Sequence, residues 1–118
     1  MFHCVFADGV APPFAPQSFD TLVTPWFIDQ VPCNLPAFIH TLSELLRPGG
    51  RWLNQGPLVY PEQVPFDQRY AREELFELAR AAGFALGEWS RASQPYLASP
   101  LTGNGKLESV LSFVATRR

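Results

Sequence analysis

Three short stretches of this 118-residue chain carry side chains able to handle a small polar ligand. The first is Asp8-Gly9. It is an ordinary turn pair, and it could equally set a carboxylate or bare backbone against the edge of a flat ring. The second is Thr24-Pro25-Trp26-Phe27-Ile28-Asp29, in which a carboxylate closes a run of apolar residues. Such a carboxylate can be a solvated loop group, or it can hold an ammonium or imidazolium through a charge-assisted hydrogen bond. The third is Asn54-Gln55-Gly56-Pro57-Leu58-Val59-Tyr60, where an amide and a phenol flank a rigid Gly-Pro turn. Asn54 and Tyr60 have the donors and acceptors to orient a ligand, or to satisfy loop backbone. The chemistry on offer is recognition and positioning. No Ser/His/Asp set, phosphate-binding glycine loop or metal-ligand spacing is present, so hydrolase and nucleoside-triphosphatase readings lack residues. His3 and His40 form no pair and read as structural or exposed, and Cys4 and Cys33 read as reduced thiols.

These stretches need elements that bring them together. Residues 2–6 (Phe-His-Cys-Val-Phe) have strand character, and the prolines at 12, 13 and 16 make the following segment a loop. Phe19 to Thr24 reads as a strand buried on both faces, stopped by Pro25. Asn34 is a candidate N-cap with Pro36 in the first turn, and Leu35, Phe38, Ile39, Leu42, Leu45 and Leu46 form one helical face. Arg47 falls in that helix's last turn, and Pro48-Gly49-Gly50 ends it. Arg51 to Gln55 reads as a strand. Residues 61–70 form a loop, and a second helix opens at Glu73 with Leu75, Phe76, Leu78, Ala79 and Ala82 inward and Gly83 as C-cap. Strands are predicted at 84–91 and 109–116, separated by a loop from Pro95 to Gly105. Helices alternating with buried strands give an α/β domain with a largely parallel sheet; the last two strands lack an intervening helix, so one of them runs antiparallel. In an open parallel sheet, ligands bind at the carboxyl ends of the strands, where all three stretches fall.

Composition bounds the rest. The length allows one domain with a real core. The net charge of −2, with 9 basic and 11 acidic residues, shows no basic stripe, which argues against nucleic acid. Charged residues make up only 17% of the chain, hinting at apolar surface covered by something else. No apolar run reaches the ~18 residues of a membrane span, and no signal peptide is visible, so a cytoplasmic location is expected.

At this point the residues carry a resemblance. Asp8…Pro13-Phe14…Ser18-Phe19-Asp20-Thr21-Leu22-Val23 resembles the approach to the fourth strand of class I S-adenosylmethionine (SAM)-dependent methyltransferases. Leu45-Leu46-Arg47-Pro48-Gly49-Gly50-Arg51-Trp52 resembles their Pro-Gly-Gly entry into the fifth, and Glu73 to Phe84 their later helix ending in Gly-Phe. More narrowly, Trp26-Phe27-Ile28-Asp29 and Gly50-Arg51-Trp52-Leu53-Asn54-Gln55-Gly56-Pro57-Leu58-Val59-Tyr60 are similar to the carnosine N-methyltransferase-like family. Glu108-Ser109-Val110-Leu111 fits that family's closing strand. Where the family usually has His after the Tyr, this chain has Pro61.

The resemblance implies the C-terminal half of a Rossmann-like methyltransferase fold, with residues 1–118 as a single partial domain whose N-terminal SAM-binding half is absent. It implies N-methyl transfer from SAM to a small, imidazole- or amine-bearing substrate, with Asp29 and Tyr60 orienting it. Asn54 and Tyr96 would add substrate contacts, and Asp8, Gly9, Thr24 and Pro25 would border the cofactor's adenine. The family's glycine-rich loop and ribose-binding acid have no counterpart in these residues, so the fragment is expected to bind SAM weakly or not at all and to turn over little alone. In the family fold two further strands separate the counterparts of 2–6 and 19–24, so residues 2–6 should be displaced. The strand at 19–24 should become an exposed edge, open to a homodimer or to the missing half. The alternative reading is a non-catalytic, methyltransferase-derived module that dimerises or complements a separate N-terminal half.

Overall fold

The computed structural model describes residues 2–30, 34–60, 62, 64–96, 101 and 106–118. Its elements are β1 (Phe19–Pro25), α1 (Leu35–Leu45), β2 (Leu46–Gly56), α2 (Arg72–Ala81), β3 (Phe84–Tyr96) and β4 (Lys106–Arg117), with short 3₁₀ turns at Ile28–Gln30 and Phe66–Gln68. The strands lie in the order β1-β2-β4-β3. β1 and β2 are parallel, and β4 is antiparallel to both of its neighbours. Three strands therefore share one direction, with the reversed strand inserted between β2 and β3. The α/β architecture agrees with the sequence; the sheet is mixed, with one parallel and two antiparallel pairings, because the reversed strand lies inside it and not at its edge.

α1 forms where expected. The Asn34 side chain accepts the Ala37 N–H at 3.3 Å, which satisfies one orphan donor of the first turn. Leu35, Phe38, Ile39, Leu42 and Leu45 are all buried. The helix stops two residues before Arg47, earlier than the sequence predicts. Leu46 is already extended (φ −85°, ψ 143°), and Pro48 disfavours a helical Arg47, so β2 starts directly at Leu46. α2 buries Leu75, Phe76 and Ala79 and ends at Gly83, whose φ of +96° is one that side-chain-bearing residues rarely adopt.

Both helices cover one face of the sheet. Cross-strand partners share a face, so Trp52, Asn54, Leu111, Phe113 and Ala115 point together into the core. Trp52 is its centre, with its ring 4.9 Å from that of Phe113 and 5.4 Å from that of Phe84. Each fully buried large apolar side chain here contributes about 1.5–3 kcal/mol. The opposite face carries Val23, Leu53 and Val114, and Val23 remains 60% exposed.

Three further sequence expectations fail. β1 was expected to be buried on both faces, yet Thr21 and Val23 are exposed, because both helices lie on the other face of the sheet. Residues 2–6 form no strand, and Phe2 and Phe6 are exposed; β-forming residues without a neighbouring strand have no ladder to join. The last two strands are longer than predicted. β3 runs on through Pro95 and Tyr96, and β4 starts at Lys106, with Pro95 paired to Leu107. Pro95 is tolerated because β3 is the outermost strand and needs no donor on its free side. Residues 97–100 and 102–105 of the predicted loop, with Cys33 and Pro61, lie outside the described residues.

Candidate functional site

Topology gathers the site. β1 and β2 are parallel, so their carboxyl ends share one edge of the sheet; β4 is antiparallel, so its first residues arrive at that same edge. Past Pro25, the Trp26 N–H still donates to the Gln55 carbonyl at 2.7 Å, after which Trp26 turns into the left-handed region (φ 51°). That turn lies against Gly56, where a Cβ would come within 2.9 Å of the Trp26 Cα. Glycine is therefore required at 56 by the close approach of another backbone. The following 3₁₀ turn seats Ile28 in the core, 2% exposed, and carries Asp29 inward with it, 3% exposed.

The Asp29 carboxylate accepts the Val59 N–H at 3.0 Å, which ties the segment after β1 to the segment after β2. Burial pushes the Asp29 carboxyl above the ordinary carboxylate range. Hydrogen bonds from the Val59 N–H, its own N–H and the Gln30 side chain oppose this, and the charge of Glu108 reinforces it. Asp29 lines a cavity of about 420 Å³ with Trp26, Gln30, Pro57, Val59 and Glu108. That volume lies within the range of small-molecule sites. Among the described residues the charged groups in the lining are these two carboxylates, an arrangement that suits a cation or an N–H donor.

A second cavity of about 390 Å³ lies beside β1. Its walls include Gly9, Phe14, Thr24, Pro25, Phe27 and Leu42. Three of the four residues expected to border the cofactor thus meet there. Asp8 adjoins them, forming its predicted turn by accepting the Val10 N–H at 3.0 Å. Gly9 lies directly on the Phe27 ring, 2.9 Å from where its Cβ would be.

The remaining candidates are placed differently. Trp52 Nε1–H donates to the Thr24 hydroxyl at 2.9 Å, and that hydroxyl donates to Asn54 Oδ1 at 2.8 Å. The Asn54 amide donates to the Leu111 carbonyl at 3.2 Å. Thr24 and Asn54 therefore link β1, β2 and β4 beneath the site, with their polar groups satisfied by the sheet. The Tyr60 hydroxyl donates to the Tyr70 carbonyl at 2.8 Å, and burial, ahead of nearby negative charge, leaves its pKa pushed up to about 12. It does not line the Asp29 cavity. Tyr96 ends β3 with its backbone paired to Lys106. Glu108 was not singled out as a site residue in the sequence, because only the antiparallel insertion of β4 brings it to Asp29.

This strand order, with one antiparallel strand among parallel ones and helices filling the β1–β2 and β2–β3 connections, is that of the Rossmann-like SAM-dependent methyltransferases. A SAM-dependent methyltransferase from Methanosarcina mazei superposes with a TM-score of 0.69 at 15% identity, over 94% of this chain and 65% of that one. A SAM-dependent methyltransferase from Aquifex aeolicus superposes with a TM-score of 0.64 at 10% identity, over 98% of this chain and 55% of that one. At such identities the likeness establishes the fold. The carnosine N-methyltransferase family model matches residues 2–102, and the chain belongs to that family. A carnosine N-methyltransferase from Dictyostelium discoideum is 46% identical over 44 residues, 37% of this chain and 9% of that enzyme. The chain thus spans 65% and 55% of the two solved relatives and a small part of the curated one. Among the described residues no helix is long and apolar enough to cross a membrane.

Proposed function

We propose that these residues form the acceptor-side portion of a SAM-dependent N-methyltransferase, and that the Asp29 cavity holds a small substrate bearing an imidazole or amine. The observation that carries this reading is a carboxylate 3% exposed, fixed by the Val59 N–H, on the wall of a cavity that a second carboxylate, Glu108, also lines. An ionised carboxylate held away from water is stabilised by a cationic or N–H-donating partner. Methyl transfer depends more on an aligned nucleophile than on strong acid–base help, so the work assigned to Asp29 is orientation of the acceptor nitrogen. Tyr60 acts one step back: its bond to the Tyr70 carbonyl anchors the segment that supplies the Val59 N–H.

When bound, SAM supplies the electrophilic methyl group. The cavity beside β1 fits one part of it. Its walls suit a flat heteroaromatic ring bordered by Gly9, Thr24 and Pro25, with Asp8 adjoining. Among the described residues the lining carries no charged group for the methionyl end. We expect these residues alone to bind SAM weakly. A second reading, a module that dimerises or complements a separate N-terminal half, is favoured by the unpaired outer edge of β1 and the exposure of Val23.

Calorimetry tests the reading. The chain should bind carnosine or a smaller imidazole compound measurably, and Asp29→Asn should abolish that binding. Binding unaffected by the substitution would remove Asp29 from the site. Low-micromolar SAM binding by the 118 residues would show that the cofactor site is complete within them. A clean monomer in size-exclusion chromatography would count against the dimerising module.

A further inference from the structure

The acceptor cavity has a second carboxylate whose place in the sheet is unusual. Glu108 lies near the start of β4, paired with Gln94 of β3. β4 is the one antiparallel strand, and its Leu111 is paired with Gly56 at the end of β2. Residues 108–110 therefore extend past the end of β2, level with the Pro57–Val59 segment. This is how a residue 79 positions after Asp29 comes to line the same cavity. Glu108 is half-buried, whereas Asp29 is 3% exposed. The cavity thus has a deep carboxylate and an outer one, with Trp26 also in its wall and no basic residue among the described lining residues. Among the described residues Glu108 has no ion-pair partner. Two like charges facing one cavity repel, and a cation between them relieves that repulsion while gaining a charge-assisted bond to each.

We infer that Glu108 is a specificity-determining residue of the acceptor site, holding a second, cationic group of the substrate at the cavity mouth while Asp29 holds the group that bears the acceptor nitrogen. The inference rests on the reading of the Asp29 cavity given above. It defines the substrate class more narrowly: a small molecule with an imidazole or amine at one end and an ammonium, not a carboxylate, a few bonds away. An anionic group in that position would meet Glu108 with like charge.

The test is an NMR titration of the 15N-labelled full chain at pH 8, following the indole N–H of Trp26, with those of Trp52 and Trp89 as internal controls. Three probes share one ring: histamine (cationic tail), 4-ethylimidazole (neutral tail) and imidazole-4-acetate (anionic tail). The parent chain should bind histamine at least about tenfold more tightly than imidazole-4-acetate, the factor expected for one charge-assisted bond. Glu108→Gln should weaken histamine about tenfold and leave 4-ethylimidazole unchanged. Glu108→Lys should reverse the order of histamine and imidazole-4-acetate. Dispersed spectra of both variants confirm folding. If Glu108→Gln and the parent bind histamine equally while Asp29→Asn loses every probe, the role of Glu108 is overturned and the Asp29 site stands. If no probe moves the Trp26 signal, both fall.

Discussion

Two groups of buried polar side chains lie within a few residues of each other, and they are finished differently. In the sheet, Trp52, Thr24, Asn54 and the Leu111 carbonyl form a chain in which each donor meets a protein acceptor. At the sheet's edge, Asp29 also accepts a backbone N–H, yet it faces a cavity and a second carboxylate. Self-satisfied polar groups stabilise a unique sheet registry; a buried charge facing open space costs stability that a ligand can recover. The contrast separates residues whose polar groups are satisfied within the sheet from a carboxylate that faces a cavity, although Thr24 and Asp29 stand in one short stretch of sequence.

The largest effect should come from the sheet. Asn54→Leu strands the Thr24 hydroxyl donor and the Leu111 carbonyl, and should cost about 3 kcal/mol in urea unfolding. A loss below about 1 kcal/mol would mean that the chain of bonds is not a unit. Asp29→Asn should go the opposite way. The Asp29 pKa is raised by burial, so its favourable contribution is fully present below the ordinary carboxylate range and is lost as pH rises through the folded-state value. At pH 7 the buried charge is a net cost. The amide variant should therefore melt a few degrees higher, on the order of 1 kcal/mol, while losing acceptor affinity. The stability gain should vanish below about pH 4, and a variant less stable than the parent at pH 7 would contradict the sign. Tyr60→Phe should be milder. It gives up one hydrogen bond, about 1 kcal/mol, and weakens acceptor binding only through the loosened Val59 segment. Loss as complete as that of Asp29→Asn would mean direct contact with the acceptor. Smallest of all, Val23→Thr on the uncovered face should change stability by less than about 0.5 kcal/mol.

Much of this architecture is legible from spacing. The apolar positions of α1, the Asn34 cap, Gly83 as the end of α2 and the Pro25 stop of β1 follow from local rules, because each acts within a turn or two of chain. Residues 2–6 misled because strand propensity is realised only beside a partner. The ribbon at 92–96 and 106–108 was missed for the converse reason: Ala92, Ser93 and Gln94 lack an apolar alternation, and the pairing of the two strands carries them. In the site, Asp29 was visible because a carboxylate after three apolar residues demands an explanation. The resemblance grouped Gly9, Thr24 and Pro25, and these three line one cavity. Glu108 stood in the sequence only as part of the closing-strand resemblance, with no site role, and the reversed strand inside the sheet brings it to the cavity.

The central claim is that Asp29 is a buried carboxylate waiting for a cationic or N–H-donating acceptor. It is tested most directly by following the Asp29 carboxyl carbon through a pH titration by 13C NMR, with and without saturating histamine. The account predicts a titration above the ordinary carboxylate range in the free chain and a downward shift when the ligand is bound. An Asp29 that titrates at the same pH in both states would contradict it.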